Sequence, residues 1–278
     1  MNPKAVLITG ASTGIGMACA LHLDRLGWRV FAGVRRPADG EALQQQASEQ
    51  LTPLLLDVTE ATSIAATTDT LAAAVGETGL AGLVNNAGIA LGGPLEFLPV
   101  AELRRQFEVN VIGQVAVTQA FLPLLRQGRG RVVNMGSISG RVAMPFLGPY
   151  AASKFALEAL TDSLRVELRP WGIQVSIIEP GPIATPIWEK SLALADALTR
   201  NLPPGGHELY GTAIALARQR VAHSSQAGIP PAAVARAVAH ALTARRPKTR
   251  YLIGRGLWLA VLLAKFAPDR LRDWLITR

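Results

Sequence analysis

Cysteine is almost absent from this chain of 278 residues: Cys19 stands alone. No intrachain disulfide can form, so stability must come from a packed core, and a reducing cytoplasm is the expected compartment. Long apolar runs are missing too. The stretch from Leu257 to Ala264 has eight residues, against the roughly 20 that a membrane-crossing helix needs. The first residues, Met1-Asn2-Pro3-Lys4, lead straight into Ala5-Val6-Leu7-Ile8 without the charged and apolar regions of a signal peptide, so nothing there marks the chain for secretion. No internal repeat or low-complexity linker divides it, and the expectation is one domain over 1–278. Net basic charge is scarce outside the end of the chain. Residues 245–278 hold nine Lys or Arg against Asp269 and Asp273, which accounts for seven of the eight net positive charges. A nucleic-acid partner, which would call for a basic face on the folded body, is not expected.

What the chain has in quantity is apolar residues, 49% of the total. Short apolar runs at 5–9, 29–34, 53–56, 82–85, 131–135 and 174–178, and again at 251–253, alternate with longer amphipathic segments. That alternation predicts an α/β fold, a doubly wound Rossmann-like parallel sheet with helices on both faces. From Pro186 to Pro231 the pattern turns to Ala- and Leu-rich helical stretches broken at Pro203-Pro204-Gly205-Gly206 and Gly228-Ile229-Pro230-Pro231. It reads as a helical substrate-lid insertion (186–231), between a cofactor-binding and catalytic core (1–185) and a terminal part (232–278) holding the last helix, the last strand and a basic amphipathic tail.

Directly after the first strand comes Gly10-Ala11-Ser12-Thr13-Gly14-Ile15-Gly16, opening into a helix. Glycines let backbone approach a pyrophosphate, and the helix N-terminus attracts the anion, so this turn predicts dinucleotide binding. At the end of the second strand, Val34 stands where an NAD site would place an acid, and Arg35 and Arg36 follow. A guanidinium matches a ribose 2′-phosphate in charge and fork geometry, which favours NADP(H) over NAD(H). Asp57, closing the third strand, is placed either to accept from the adenine amine or to cap the next helix.

Tyr150 and Lys154 are four residues apart, and Ser137 precedes the tyrosine by thirteen. On a helix that spacing puts phenol and ammonium on one face, where the cation favours the ionised phenol and makes Tyr150 a candidate proton donor and acceptor. Taken in order, the glycine loop, Asn85-Asn86-Ala87-Gly88, Asn110, Ser137, Tyr150 and Lys154 resemble the short-chain dehydrogenase/reductase family over roughly residues 4–185.

The resemblance implies an oxidoreductase that interconverts a carbonyl and an alcohol. Tyr150 would be general acid and base, Ser137 would bind the reacting oxygen, and Lys154 would lower the Tyr150 pKa and hold the nicotinamide ribose. Asn110 would keep a water in line with Lys154. Pro180, Gly181, Ile183 and Thr185 would form the loop at the nicotinamide, and Val58, Asn86, Ala87 and Gly88 would complete the cofactor contacts, with Asn85 mainly structural. Ser139, eleven before the tyrosine, is assigned to the loop or to a layer behind Ser137, and no metal is called for. The alternative is a non-catalytic NADP(H)-sensing or scaffold protein of the same fold.

Val142, Met144, Phe146, Trp188 and Leu192 read as an apolar pocket for a steroid-, retinoid- or fatty-type substrate. The tail mixes Trp258, Phe266, Leu271 and Trp274 with Lys265, Arg270 and Arg272. It could lie on an anionic membrane surface, or pack on the cleft or on another subunit. The resemblance further implies a homodimer or homotetramer built on helices near 101–126 and 150–169.

Overall fold

Ala5–Ile8 (β1) is buried at all four residues, as a strand covered on both faces must be. In a computed structural model that describes residues 3–277, six more strands join it: Arg29–Val34 (β2), Leu51–Leu55 (β3), Gly82–Asn85 (β4), Arg131–Met135 (β5), Gln174–Pro180 (β6) and Arg250–Ile253 (β7). They form one parallel sheet in the order β3-β2-β1-β4-β5-β6-β7. The order reverses between β1 and β4, and in such sheets ligands bind outside the carboxyl ends at that switch point. Two strand boundaries differ from expectation by two residues. β3 starts at Leu51, because Leu51 and Thr52 pair with Val30 and Phe31, and β6 continues to Pro180, which pairs with Ile253.

The helices are Gly14–Arg25 (α1), Pro37–Gln44 (α2), Ala61–Val75 (α3), Val100–Phe107 (α4), Gly113–Gln127 (α5), Gly148–Glu167 (α6), Ile187–Arg200 (α7), Pro204–Gln226 (α8), Pro231–Thr243 (α9), Leu257–Phe266 (α10) and Asp269–Thr277 (α11). Strand parity divides the core in two. Val6 and Ile8 pack with Cys19 and Leu23 of α1 and Val238 of α9, while Ala5 and Leu7 pack with Leu71 of α3 and Phe121 of α5. Each fully buried large side chain contributes about 1.5–3 kcal/mol. Cys19 belongs to this packing, and burial pushes its thiol up to about 12.

Helices α4 and α5 run on through a wide π turn, Glu108–Ile112, which carries Asn110. The stretch Val100–Gln127 is long and apolar enough to cross a membrane by length and composition, but Val117, Phe121 and Leu125 spend its apolar face on the sheet. Helices α7 and α8 pack on one another above the strand ends, and an isolated bridge between Ile183 and Ile229 ties the end of α8's loop back to the loop after β6. Leu257 seats α10 against Gly181 and Gly254. Arg272 donates to the Ala264 carbonyl at 3.0 Å, which folds α11 back toward α10.

Candidate active site

The glycine loop is locked onto the segment after β4. Thr9 Oγ1 accepts from the Asn86 and Ala87 amides at 3.0 and 2.9 Å, and Asn86 Nδ2 donates to the Thr9 and Gly10 carbonyls at 2.9 and 3.0 Å. Gly16 packs so tightly that an added Cβ would lie 2.2 Å from Gly10 O. Gly10 and Gly14 have φ of +64° and +59°, the left-handed region that glycine enters without strain. Thr13 makes no side-chain cap on α1, so the amides of the first turn are left for a ligand. These features fit a dinucleotide pyrophosphate.

From this loop a cavity of about 1080 Å³ runs to Ser137, Tyr150 and Lys154. Every residue assigned above to the nucleotide lines it except Arg36. Arg36 instead forks onto Asp39, with Nε and Nη2 at 2.9 and 2.7 Å from its two oxygens, and stands in solvent. Its guanidinium holds the Asp39 carboxyl below the usual carboxylate range. The signal was readable: Arg36 precedes Pro37 at a helix start, with Asp39 three residues on, a common i,i+3 pair. Asp57 does not cap α3, whose N-cap is Glu60. Its Oδ1 accepts from Thr59 N and Oγ1 at 3.0 and 2.7 Å.

At the far end, β5 delivers Ser137 in extended backbone, where its Oγ accepts from the Ser139 amide at 3.1 Å. The Ser137 hydroxyl also faces the Tyr150 phenol and favours its ionised form. Ser139 itself lines the cavity rather than standing behind it. Tyr150 is half-buried by surface area, but its hydroxyl lies deep among protein atoms. Lys154, one turn on, is 4% exposed. Its Nζ donates to the Met135 carbonyl at 2.7 Å and lies 5.7 Å from the Tyr150 ring centre.

The electrostatics reverse one expectation. Burial raises the Tyr150 phenol above its usual 10, against the opposing influence of the Ser137 hydroxyl. The same desolvation brings Lys154 down to about 8, against the pull of Glu158. The phenol is therefore not held below its usual value, because desolvation outweighs the pull of an ammonium that is itself desolvated and directed at Met135 O.

Asn110 departs from its expected place as well. It is fully buried and does not line the cavity. Its Oδ1 accepts from the Ile89 amide at 2.8 Å, and its Nδ2 donates to Ile89 O and Ser153 Oγ at 2.9 and 3.1 Å. The side-chain amide fastens the loop after β4 to α6.

Met144, Phe146, Trp188 and Leu192 line the apolar end of the cavity, whereas Val142 does not. Trp188 is fixed by its indole N–H on Ile183 O at 2.7 Å. Phe146 has φ +65° and meets Tyr210 of α8 edge-on at 6.3 Å. A bulky residue in that region is strained, so the loop around it holds the ring in place. The sequence points to a lid over the cleft and allows the tail to pack on it, but does not single out the side chains that do so: Ile214, Ala217 and Val221 of α8, and Ile276 of α11. The tail thus reaches the cavity wall.

A family model described as short chain dehydrogenase matches residues 4–194. The chain belongs to the short-chain dehydrogenase/reductase family. It is 42% identical over 278 residues to retinol dehydrogenase 5 of Mus musculus, covering 98% of this chain and 87% of the relative. To the NADPH-dependent 3-dehydrocapnine reductase of Ornithobacterium rhinotracheale it is 35% identical over 275 residues, covering 97% and 95%. Among solved structures, a short-chain dehydrogenase/reductase from Burkholderia phymatum in complex with NAD superposes with a TM-score of 0.80 at 25% identity, covering 99% of this chain and 95% of the other. This short-chain dehydrogenase/reductase is an NAD(P)-dependent oxidoreductase.

Proposed function

We propose that the protein is an NADP(H)-preferring oxidoreductase that interconverts a lipophilic ketone or aldehyde, of steroid, retinoid or fatty type, and its alcohol, with Tyr150 as general acid and base. The observation that carries this is the gathering of Ser137, Tyr150 and buried Lys154 at the apolar end of a cavity that begins at the glycine loop. A bound nicotinamide nucleotide supplies the hydride for reduction and accepts it in oxidation. Ser137 donates a hydrogen bond to the substrate oxygen and steadies the charge developing there. Tyr150 passes its proton to that same oxygen. The phenolate left behind is stabilised by the Lys154 ammonium, and solvent returns the proton. Asn110 acts by holding the loop after β4 against α6. Arg35, which lines the cavity just after β2, offers its fork to a 2′-phosphate. The retinol dehydrogenase relative supports the lipophilic class, and the NADPH-dependent relative supports the cofactor.

A panel of carbonyls assayed with NADPH and NADH tests the reading. NADPH oxidation by lipophilic members is the expected result. Preference for NADH would refute the role of Arg35, and nucleotide binding without any turnover would leave a sensing protein.

The tail carries a second reading. Trp258 and Phe266 are 62% and 71% exposed, and Lys265, Arg270 and Arg272 lie among the exposed apolar residues of α10 and α11. Such a surface suits peripheral contact of a cytoplasmic enzyme with an anionic bilayer. Flotation with phosphatidylserine liposomes should retain the full chain and lose a chain ending at Arg255. Equal behaviour would rule the contact out. Exposed Phe155, Leu160 and Val166 on α6 support a homodimer or homotetramer.

A further inference from the structure

One turn beyond Lys154, on the same face of α6, stands Glu158. It meets Glu179 of β6, and the two residues are 7% and 3% exposed. Two carboxylates set together out of water cannot both ionise cheaply, which favours a proton on one of them. Glu158 Oε1 is buried with no hydrogen-bond partner among the described residues, the place such a proton would occupy. Two guanidiniums enclose the pair. Arg141 Nη1 is 3.1 Å from Glu179 Oε1 and 3.9 Å from Glu158 Oε2. Arg250 of β7 is 3.2 Å from Glu158, 3.5 Å from Glu179 and 2.6 Å from Asp162, which also takes Arg165 at 2.9 Å. Gly140 brings the Arg141 loop down onto α6: an added Cβ there would lie 3.0 Å from Lys154 O and 3.2 Å from Glu158 Cγ.

We propose that Glu158 and Glu179 share one proton and act as a titratable counter-ion to Lys154, releasing that proton as pH rises and so keeping the ammonium charged beside Tyr150. Burial, and then the neighbouring Glu179, raise the Glu158 carboxyl far above the usual range. Lys154, brought down to about 8 by burial, is pulled back up by Glu158. Each unit of negative charge gained by the pair favours the ammonium, so the groups titrate as a set. The charged groups facing the pair are Lys154, Asp162 and, through it, Arg165 on α6, Arg141 after β5, and Arg250 on β7. Glu158 and Glu179 are positioning residues, and they touch no reacting atom.

The proposal rests on the enzymatic reading for one of its two tests. The first is the pH dependence of kcat for reduction of all-trans-retinal with NADPH. In Glu158→Gln and Glu179→Gln the alkaline limb should move down by about one pH unit while the acid limb stays in place. A profile merely scaled down, with both limbs unmoved, would overturn the proposal. The second test is infrared difference spectroscopy of the full chain without substrate, from about pH 6 to about pH 10, spanning the Lys154 value of about 8. A carboxylic-acid carbonyl band should vanish in the wild type and be missing from Glu158→Gln throughout. Its absence from the wild type overturns the shared proton. If Glu158→Gln does not fold, Glu179→Gln and the wild-type spectrum decide. If the wild type turns over no retinal while the band titrates, the substrate reading fails and the shared proton stands.

Discussion

Gly16→Ala tests whether the nucleotide loop depends on close backbone approach. The new methyl would be placed 2.2 Å from Gly10 O, 2.5 Å from Asn86 Nδ2 and 2.9 Å from Gly10 C. Two of the three atoms are backbone, so a flexible side chain cannot simply swing aside. Overpacking of this kind costs about 1–3 kcal/mol. Displacing Asn86 breaks its bonds to Thr9 O and Gly10 O, worth about 0.5–1.5 kcal/mol each, which gives about 2–6 kcal/mol in all. At about 2.1 cal/mol/K per residue, a chain of 278 residues has an unfolding entropy near ~0.6 kcal/mol/K. Tm should therefore fall by about 3–10 °C in scanning calorimetry. NADPH affinity, titrated by nucleotide fluorescence well below that Tm, should weaken by at least about tenfold, since about 1.4 kcal/mol of loop distortion suffices. Gly205→Ala is the control. A Cβ at Gly205 meets nothing within 4 Å, and alanine has the better helix propensity, so Tm should hold or rise slightly. Wild-type Tm and NADPH affinity in Gly16→Ala would refute the argument that backbone contact shapes the loop.

Tyr150→Phe should keep NADPH binding in a fluorescence titration while losing most turnover, and Ser137→Ala should lower kcat by about 10²–10³-fold; retained activity in Tyr150→Phe would sink the acid/base assignment. Arg35→Ala should reduce the NADPH-to-NADH ratio of kcat/KM by about 10–100-fold, the worth of one charge-assisted bond of about 1.5–3 kcal/mol, whereas Arg36→Ala, which removes an exposed pair with Asp39, should leave the ratio unchanged. Asn85→Ala should destabilise by about 1–3 kcal/mol in urea unfolding, because it strips partners from buried Thr118 and Asn134, now held at 2.8 and 2.9 Å.

The parts of the fold that could be read in advance are those in which a local pattern and a long-range contact coincide. β1 reads as a strand because all four residues are apolar, and the sheet buries all four. The glycine loop reads as a ligand turn because its glycines are needed both for backbone angles and for contact with Ala87 and Gly10. Where the two separate, the sequence misleads. Arg35 and Arg36 are chemically equal neighbours, and only the backbone decides that one faces the cavity while the other turns back to Asp39. Val142 and Met144 share one apolar stretch, yet Met144 alone lines the cavity. Ile276 arrives from the far end of the chain, where the tail's pattern allows packing on the cleft but does not single out the residue that lines it.

Burial explains why the chemistry of Tyr150 was only half legible. Helical spacing correctly places Lys154 one turn away, and a solvated cation at that distance would lower the phenol. In the folded chain the cation is 4% exposed, is bonded to Met135 O and is weakened to about 8, while the phenol rises. Desolvation then favours one direction of the proposed reaction. A phenol raised above 10 keeps its proton throughout the neutral range, which is the form a carbonyl reductase needs. Taking a proton from an alcohol requires the phenolate, which the same desolvation disfavours until pH rises, and a charged Lys154 is what makes that form reachable. A counter-ion that strengthens as pH rises therefore matters most to the oxidative direction, the one in which Tyr150 must work against its own burial.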